Sequence, residues 1–168
     1  FVDQAERKLF EISQNKKRSG FVSTAELASE TIKIIENLTT RKMAITGIAS
    51  GFKKLDKMTA GFQDSDLIII AARPGMGKTS FSLNIVMHAA LVHGLKVGFF
   101  SLEMAKEQLM MRMLSAKSKL NFGKIRTGFL SDSEFQKTVD AADALQRANI
   151  YIDDTPALTS LDLRSRTR

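Results

Sequence analysis

The chain has 168 residues, 43% of them hydrophobic, which is enough to bury one sizeable core but too short for two ordinary domains. It has no cysteine, which excludes disulfides and thiolate metal sites and fits a reducing, cytoplasmic setting. Its longest apolar run, Leu67 to Ala72, is far too short to cross a bilayer, so no membrane is expected, while the formal charge of +7 suits a polyanionic partner.

In chain order, Val2, Ala5, Leu9 and Ile12 draw one apolar stripe and predict a short amphipathic helix over 1–14. A polar stretch centred on Asn15 to Gly20 then has the composition of a flexible linker, taken as 15–22. A helix so short needs a surface to pack on, either its own domain or a neighbouring subunit. Ser23 and Glu26 have capping-box spacing, and with Ala28, Ile32 and Ile35 they predict a second helix over about 24–38. Thr46 to Gly61 reads as an irregular, glycine-bearing lead-in. The basic clusters Lys16-Lys17-Arg18, Arg41-Lys42 and Arg164 to Arg168 serve a polyanion or a solvated surface equally well.

From Leu67 the pattern turns into alternating strands and helices. Leu67 to Ala71 is a continuous apolar run of the kind buried on both faces of a parallel sheet. A helix opening at Thr79 and ending at Gly94 follows, then a strand at Lys96 to Ser101 and a helix over Glu103 to Leu120. Ser131-Asp132-Ser133-Glu134 is a capping box opening a helix with Phe135, Val139, Ala142 and Leu145 on one face. Ile150-Tyr151-Ile152 is a further strand, ending at Asp153-Asp154. Alternation of this kind predicts an α/β domain with a mostly parallel sheet flanked by helices, occupying 23–168. His88 and His93 lie in or beside apolar sequence without a carboxylate cluster, which makes them structural rather than metal-binding.

Between the first strand and its helix stands Ala72-Arg73-Pro74-Gly75-Met76-Gly77-Lys78-Thr79, a phosphate-loop pattern with alanine where glycine is usual at its first position. Free backbone N–H groups at a helix N-terminus attract an anion, and glycine lets that backbone approach it closely. Lys78 would meet the β and γ phosphates of ATP and Thr79 would ligate Mg²⁺, so Gly75, Met76, Gly77, Lys78, Thr79 and Ser80 are the candidate nucleotide-binding residues. Glu103 follows the next strand, at the carboxyl end where ligands of open α/β sheets bind, and a carboxylate there can orient and deprotonate an attacking water. It is equally an acid of the kind favoured in the first turn of a helix.

In combination these stretches resemble the replicative DNA helicases of the DnaB type, which are RecA-like P-loop ATPases. The resemblance rests on Gly47 to Phe52 with Leu55-Asp56, Gly61-Phe62-Gln63, Asp66 to Ala72, ARPGMGKT, Phe100 to Met104 with Gln108-Leu109 and Arg112, Arg126-Thr127-Gly128, and Tyr151 to Pro156. It implies an ATP-driven homo-hexamer that moves on single-stranded DNA, unwinds a replication fork, and meets primase and a helicase loader. It also implies catalytic roles for Glu103 and Lys78, a place for Arg112 near the nucleotide, and a linker helix at 1–14 packing on the adjacent subunit. Asp153 and Asp154 look like the metal-binding aspartate of such ATPases, but the resemblance puts that residue on a later strand, beyond Arg168. The DNA-binding loops and the arginine supplied in trans would also lie beyond it, so the chain reads as part of a longer protein. The rival readings are a RecA-like ATPase of recombination or repair, and a nucleotide-binding assembly module.

Overall fold

The computed structural model describes residues 21–41 and 44–167, in two compact units divided between Met43 and Ala44. The helix expected over 1–14 lies outside the described residues, as does most of the linker after it. In the first unit, α1 (Thr24–Arg41) starts where the capping spacing puts it, with the Glu26 N–H donating to Ser23 Oγ at 3.3 Å. It continues three residues past the expected end, and the hydroxyls of Thr31, Thr39 and Thr40 donate to carbonyls four residues back. Its apolar residues Leu27, Ile32, Ile35 and Leu38 are all exposed.

The second unit opens with a small clasp rather than the irregular lead-in that the sequence suggested. Ile48 and Phe62 form an antiparallel bridge through two 2.8 Å backbone bonds, and α2 (Lys53–Thr59) fills the loop between them. Gly47 is required here, because a Cβ at that position would lie 2.3 Å from the Phe62 carbonyl oxygen. The clasp is locked from inside by Asp56, whose carboxylate accepts from the Ser50 N–H at 2.7 Å and the Ser50 hydroxyl at 2.6 Å, both residues being buried. Those bonds hold the Asp56 carboxyl below the usual aspartate range, the Ser50 hydroxyl contributing most.

After the clasp come α3 (Lys78–Leu91), β1 (Val97–Phe100), α4 (Lys106–Ser118), α5 (Phe122–Thr127), α6 (Asp132–Gln146), β2 (Ile150–Asp153) and α7 (Ser160–Arg166). The strands β1 and β2 pair in parallel, Val97 opposite Ile150 through Phe100 opposite Asp153. A parallel pair needs a long crossover, and α4 to α6 provide it. The fold is thus α/β with a small parallel sheet flanked by helices. Its core joins Leu83 and Met87 of α3, Leu109 and Met113 of α4, and Leu145 of α6, with Phe99, Ile150 and Ile152 of the sheet packed against them. Leu109 and Met113 are essentially inaccessible, and burying side chains of this size stabilises the fold by roughly 1.5–3 kcal/mol each.

Four details depart from the sequence reading. Leu67 to Ala71 is not a paired strand: no described strand pairs with it, and Leu67 and Ile69 are 88% and 81% exposed. An apolar run becomes a strand only where neighbours supply ladder partners, and here β1 pairs with β2 instead. The helix expected from Glu103 begins three residues later, at Lys106, because Ser101 closes a turn ahead of it. The buried stripe of α6 runs through Ala141 and Leu145, leaving Phe135 exposed in the first turn beyond the core's edge. The helices α5 and α7 lie where no helix was expected.

Candidate functional site

The helix α3 opens at Gly77, which adopts a left-handed conformation (φ 88°), as does Gly75 (φ 79°). Each sits at a positive φ that side chains rarely adopt, and a Cβ at either would meet nothing within 4 Å, so the dihedral alone demands glycine. The space in front of the loop is open. No side chain caps α3 and no acid occupies its first turn, which leaves the first-turn N–H groups and the helix dipole directed at that space. A neutral or acidic cap would have neutralised an anion site; its lack is what the loop needs.

The loop forms one wall of a cleft of about 310 Å³. Of the candidate nucleotide-binding residues of the loop, Gly75, Gly77, Lys78, Thr79 and Ser80 line it; the exposed Met76 does not. Opposite stand Glu103 with Met104, and Arg112 from the second turn of α4. The charged groups at the cleft are Arg73, Lys78 and Arg112 against Glu103, three cations to one carboxylate, which favours an anionic ligand.

Glu103 is not a first-turn helix acid. It lies in a turn between β1 and α4, at the carboxyl end of the sheet, and that turn is fixed at both ends. At the start, the buried Ser101 hydroxyl donates to the Met104 carbonyl at 2.6 Å and accepts from the Met104 N–H at 3.1 Å. At the end, Asp154 accepts from the Lys106 N–H at 3.0 Å, so the tip of β2 caps the first turn of α4, and an exposed ion pair with Lys106 Nζ at 3.4 Å adds to it. The Lys106 backbone and side chain accordingly hold the Asp154 carboxyl below its ordinary range.

Asp153 is likewise occupied. It accepts from the Thr155 N–H and hydroxyl and pairs with Arg166 of α7, and its carboxyl is held down at about 2, first by the Thr155 hydroxyl and then by Arg166. Neither aspartate lines the cleft, so the metal-ligand reading of this pair is replaced by a structural one. Among the described residues there is no group of three or more histidines, cysteines or acids able to hold a metal ion alone. A divalent cation that keeps most of its waters and takes one or two protein oxygens needs no such group, and Thr79 lines the cleft.

Arg112 differs from the other cations in its surroundings. Its Nε is buried without a hydrogen-bond partner, and its guanidinium carbon lies 4.9 Å from the centre of the Phe122 ring. A buried, unmatched donor costs about 1–3 kcal/mol. Phe122 is invisible in the sequence as a site residue, ten residues from the arginine it meets; Ser101 and Asp154 fall inside recognised stretches, but nothing in the sequence marks the first as closing the turn or the second as capping a helix.

No described helix is long and apolar enough to cross a membrane. Residues 47–168 match the family model described as DnaB-like helicase C terminal domain. The chain is 46% identical over 167 residues to the replicative DNA helicase DnaB of Geobacillus stearothermophilus and 44% identical to the replicative DNA helicase DnaC of Bacillus subtilis (strain 168). In both cases 99% of the chain is covered, and the chain spans 37% of the relative's length. Among solved structures, an ATPase domain superposes with a TM-score of 0.77 at 31% identity, over 84% of this chain and 50% of that one. The structure of a DnaB-like replicative helicase and its interactions with primase gives a TM-score of 0.75 at 28% identity, over 99% of this chain and 39% of that one. With 122 of its residues, the phosphate loop and the SLEM turn included, inside the matched span 47–168, the chain belongs to the DnaB-like helicase family.

Proposed function

We propose that this chain is the nucleotide-gripping part of an ATP-dependent replicative DNA helicase, a cytoplasmic homo-hexameric ring that hydrolyses ATP to move along single-stranded DNA and unwind the fork. The observation that carries this reading is the cleft that Lys78, Thr79 and Glu103 share. In it the uncapped start of α3 holds the β and γ phosphates of ATP through backbone N–H groups, and Lys78 neutralises their charge. The Thr79 hydroxyl would ligate Mg²⁺, which would supply charge neutralisation when bound. Glu103 orients a water and accepts its proton as the water oxygen bonds to the γ phosphorus and the bond to the ADP oxygen breaks. Arg112, a cation of the cleft lining, adds attraction for the charge of the nucleotide. Partners in this reading are single-stranded DNA, further copies of the chain, primase and a helicase loader.

The test uses the full-length protein that carries this chain. ATP hydrolysis stimulated by single-stranded DNA, together with ATP-dependent unwinding of a forked duplex, supports the proposal. Hydrolysis with strand exchange but no fork unwinding would assign the chain to recombination instead.

A further inference from the structure

Arg112 stands between two cavities: the phosphate cleft, and a smaller one of about 140 Å³ lined by Ser80, Asn84, Ser115 and Phe122. A long arginine between two open spaces has several rotamers available, and only some aim its guanidinium at the cleft. Phe122 supplies the missing constraint. Its ring lies 4.9 Å from the guanidinium carbon, a distance at which the negative ring face attracts a cation and orients its plane.

The ring is itself fixed relative to α4, the helix that carries Arg112. The link between α4 and α5 is closed by Ser115, whose hydroxyl donates to the Leu120 carbonyl at 2.8 Å while its carbonyl accepts from the Leu120 N–H at 3.2 Å. Asn121 caps α5 by accepting from the Gly123 N–H at 2.7 Å, and Lys124 pairs with Glu134 at 2.7 Å, tying α5 to the first turn of α6. A six-residue helix tied at its cap and at its third residue gives Phe122 little freedom to move away.

We infer that Phe122 is a positioning residue of the nucleotide site, a platform that holds the Arg112 guanidinium at the wall of the cleft. This rests on the nucleotide reading above. Phe122 does not line the phosphate cleft and touches no reacting atom; it acts through Arg112.

The experiment measures binding of a fluorescent ATP analogue to the full-length protein. Pentafluorophenylalanine incorporated at position 122 keeps the size of the ring and removes its negative face, so folding is preserved while the attraction is lost. It should weaken binding about fivefold, as should Phe122→Leu, whereas Phe122→Trp should bind within about twofold of wild type. In an Arg112→Ala background the change at 122 should have no further effect. Equal binding by the fluorinated and natural proteins, or an undiminished loss in the Arg112→Ala background, overturns the platform and leaves the nucleotide reading intact. Failure of wild type to bind the analogue more tightly than Lys78→Ala overturns both.

Discussion

Replacing Ser101 by alanine removes one hydroxyl from beneath the turn that presents Glu103, and its effect can be worked out from two distances. The hydroxyl makes bonds of 2.6 and 3.1 Å to the carbonyl and N–H of Met104. Each such bond contributes about 1 kcal/mol net, so the closed turn loses roughly 2 kcal/mol relative to open forms. At about 1.4 kcal/mol per decade, the closed population falls by up to about 30-fold if the open forms compete at all. In the proposed mechanism, Glu103 directs a water at the γ phosphate only when the turn is closed. The proposal gives the phosphates to α3, a separate element, so ATP affinity should stay within about twofold while kcat drops by a few-fold to about 30-fold. Ser101→Thr keeps the hydroxyl and should keep most of kcat. The assay is DNA-stimulated ATP hydrolysis and ATP binding by the full-length protein. If Ser101→Ala retains kcat within about twofold, the turn does not depend on this hydroxyl and the reasoning fails.

Two further outcomes concern the framework. Asp56→Asn keeps an acceptor for Ser50 but loses the charge, and should lower the melting temperature at neutral pH. Because the Asp56 carboxyl titrates below its unfolded value of about 3.9, its contribution is complete above that value and fades as pH falls through the folded one. Melting curves of wild type and Asp56→Asn should therefore converge in acid, and a gap that persists at the lowest pH would show that charge is not the cause. Leu109→Ala empties the centre of the core, and denaturant unfolding should show a loss of about 2–5 kcal/mol; a loss under about 1 kcal/mol would mean the core closes over the space.

The phosphate loop is legible in the sequence because its function is local: backbone N–H groups, two glycines and one lysine within a few residues. The strands β1 and β2 and the Ser131 box of α6 are equally plain, for short-range patterns set them. The helix α7 escapes a sequence reading although Thr159 and Asp162 form a capping box, since an aspartate in place of the usual glutamate weakens the signal. The helices α2 and α5 are too short for a 3.6-residue period to show. Leu67 to Ala71 misleads because apolarity specifies burial but not the strands that would provide it. The roles of Asp154 at the start of α4 and of Phe122 under Arg112 depend on chain crossings that no spacing encodes.

The central claim is that one cleft divides its work, the loop binding ATP and Glu103 serving the chemistry. Glu103→Gln in the full-length protein tests it most directly, with ATP affinity and hydrolysis measured on the same sample. Binding should be retained while hydrolysis falls by about 10²-fold or more, the opposite of Lys78→Ala, which should lose binding. A Glu103→Gln protein that binds ATP and hydrolyses it at the wild-type rate would contradict the account.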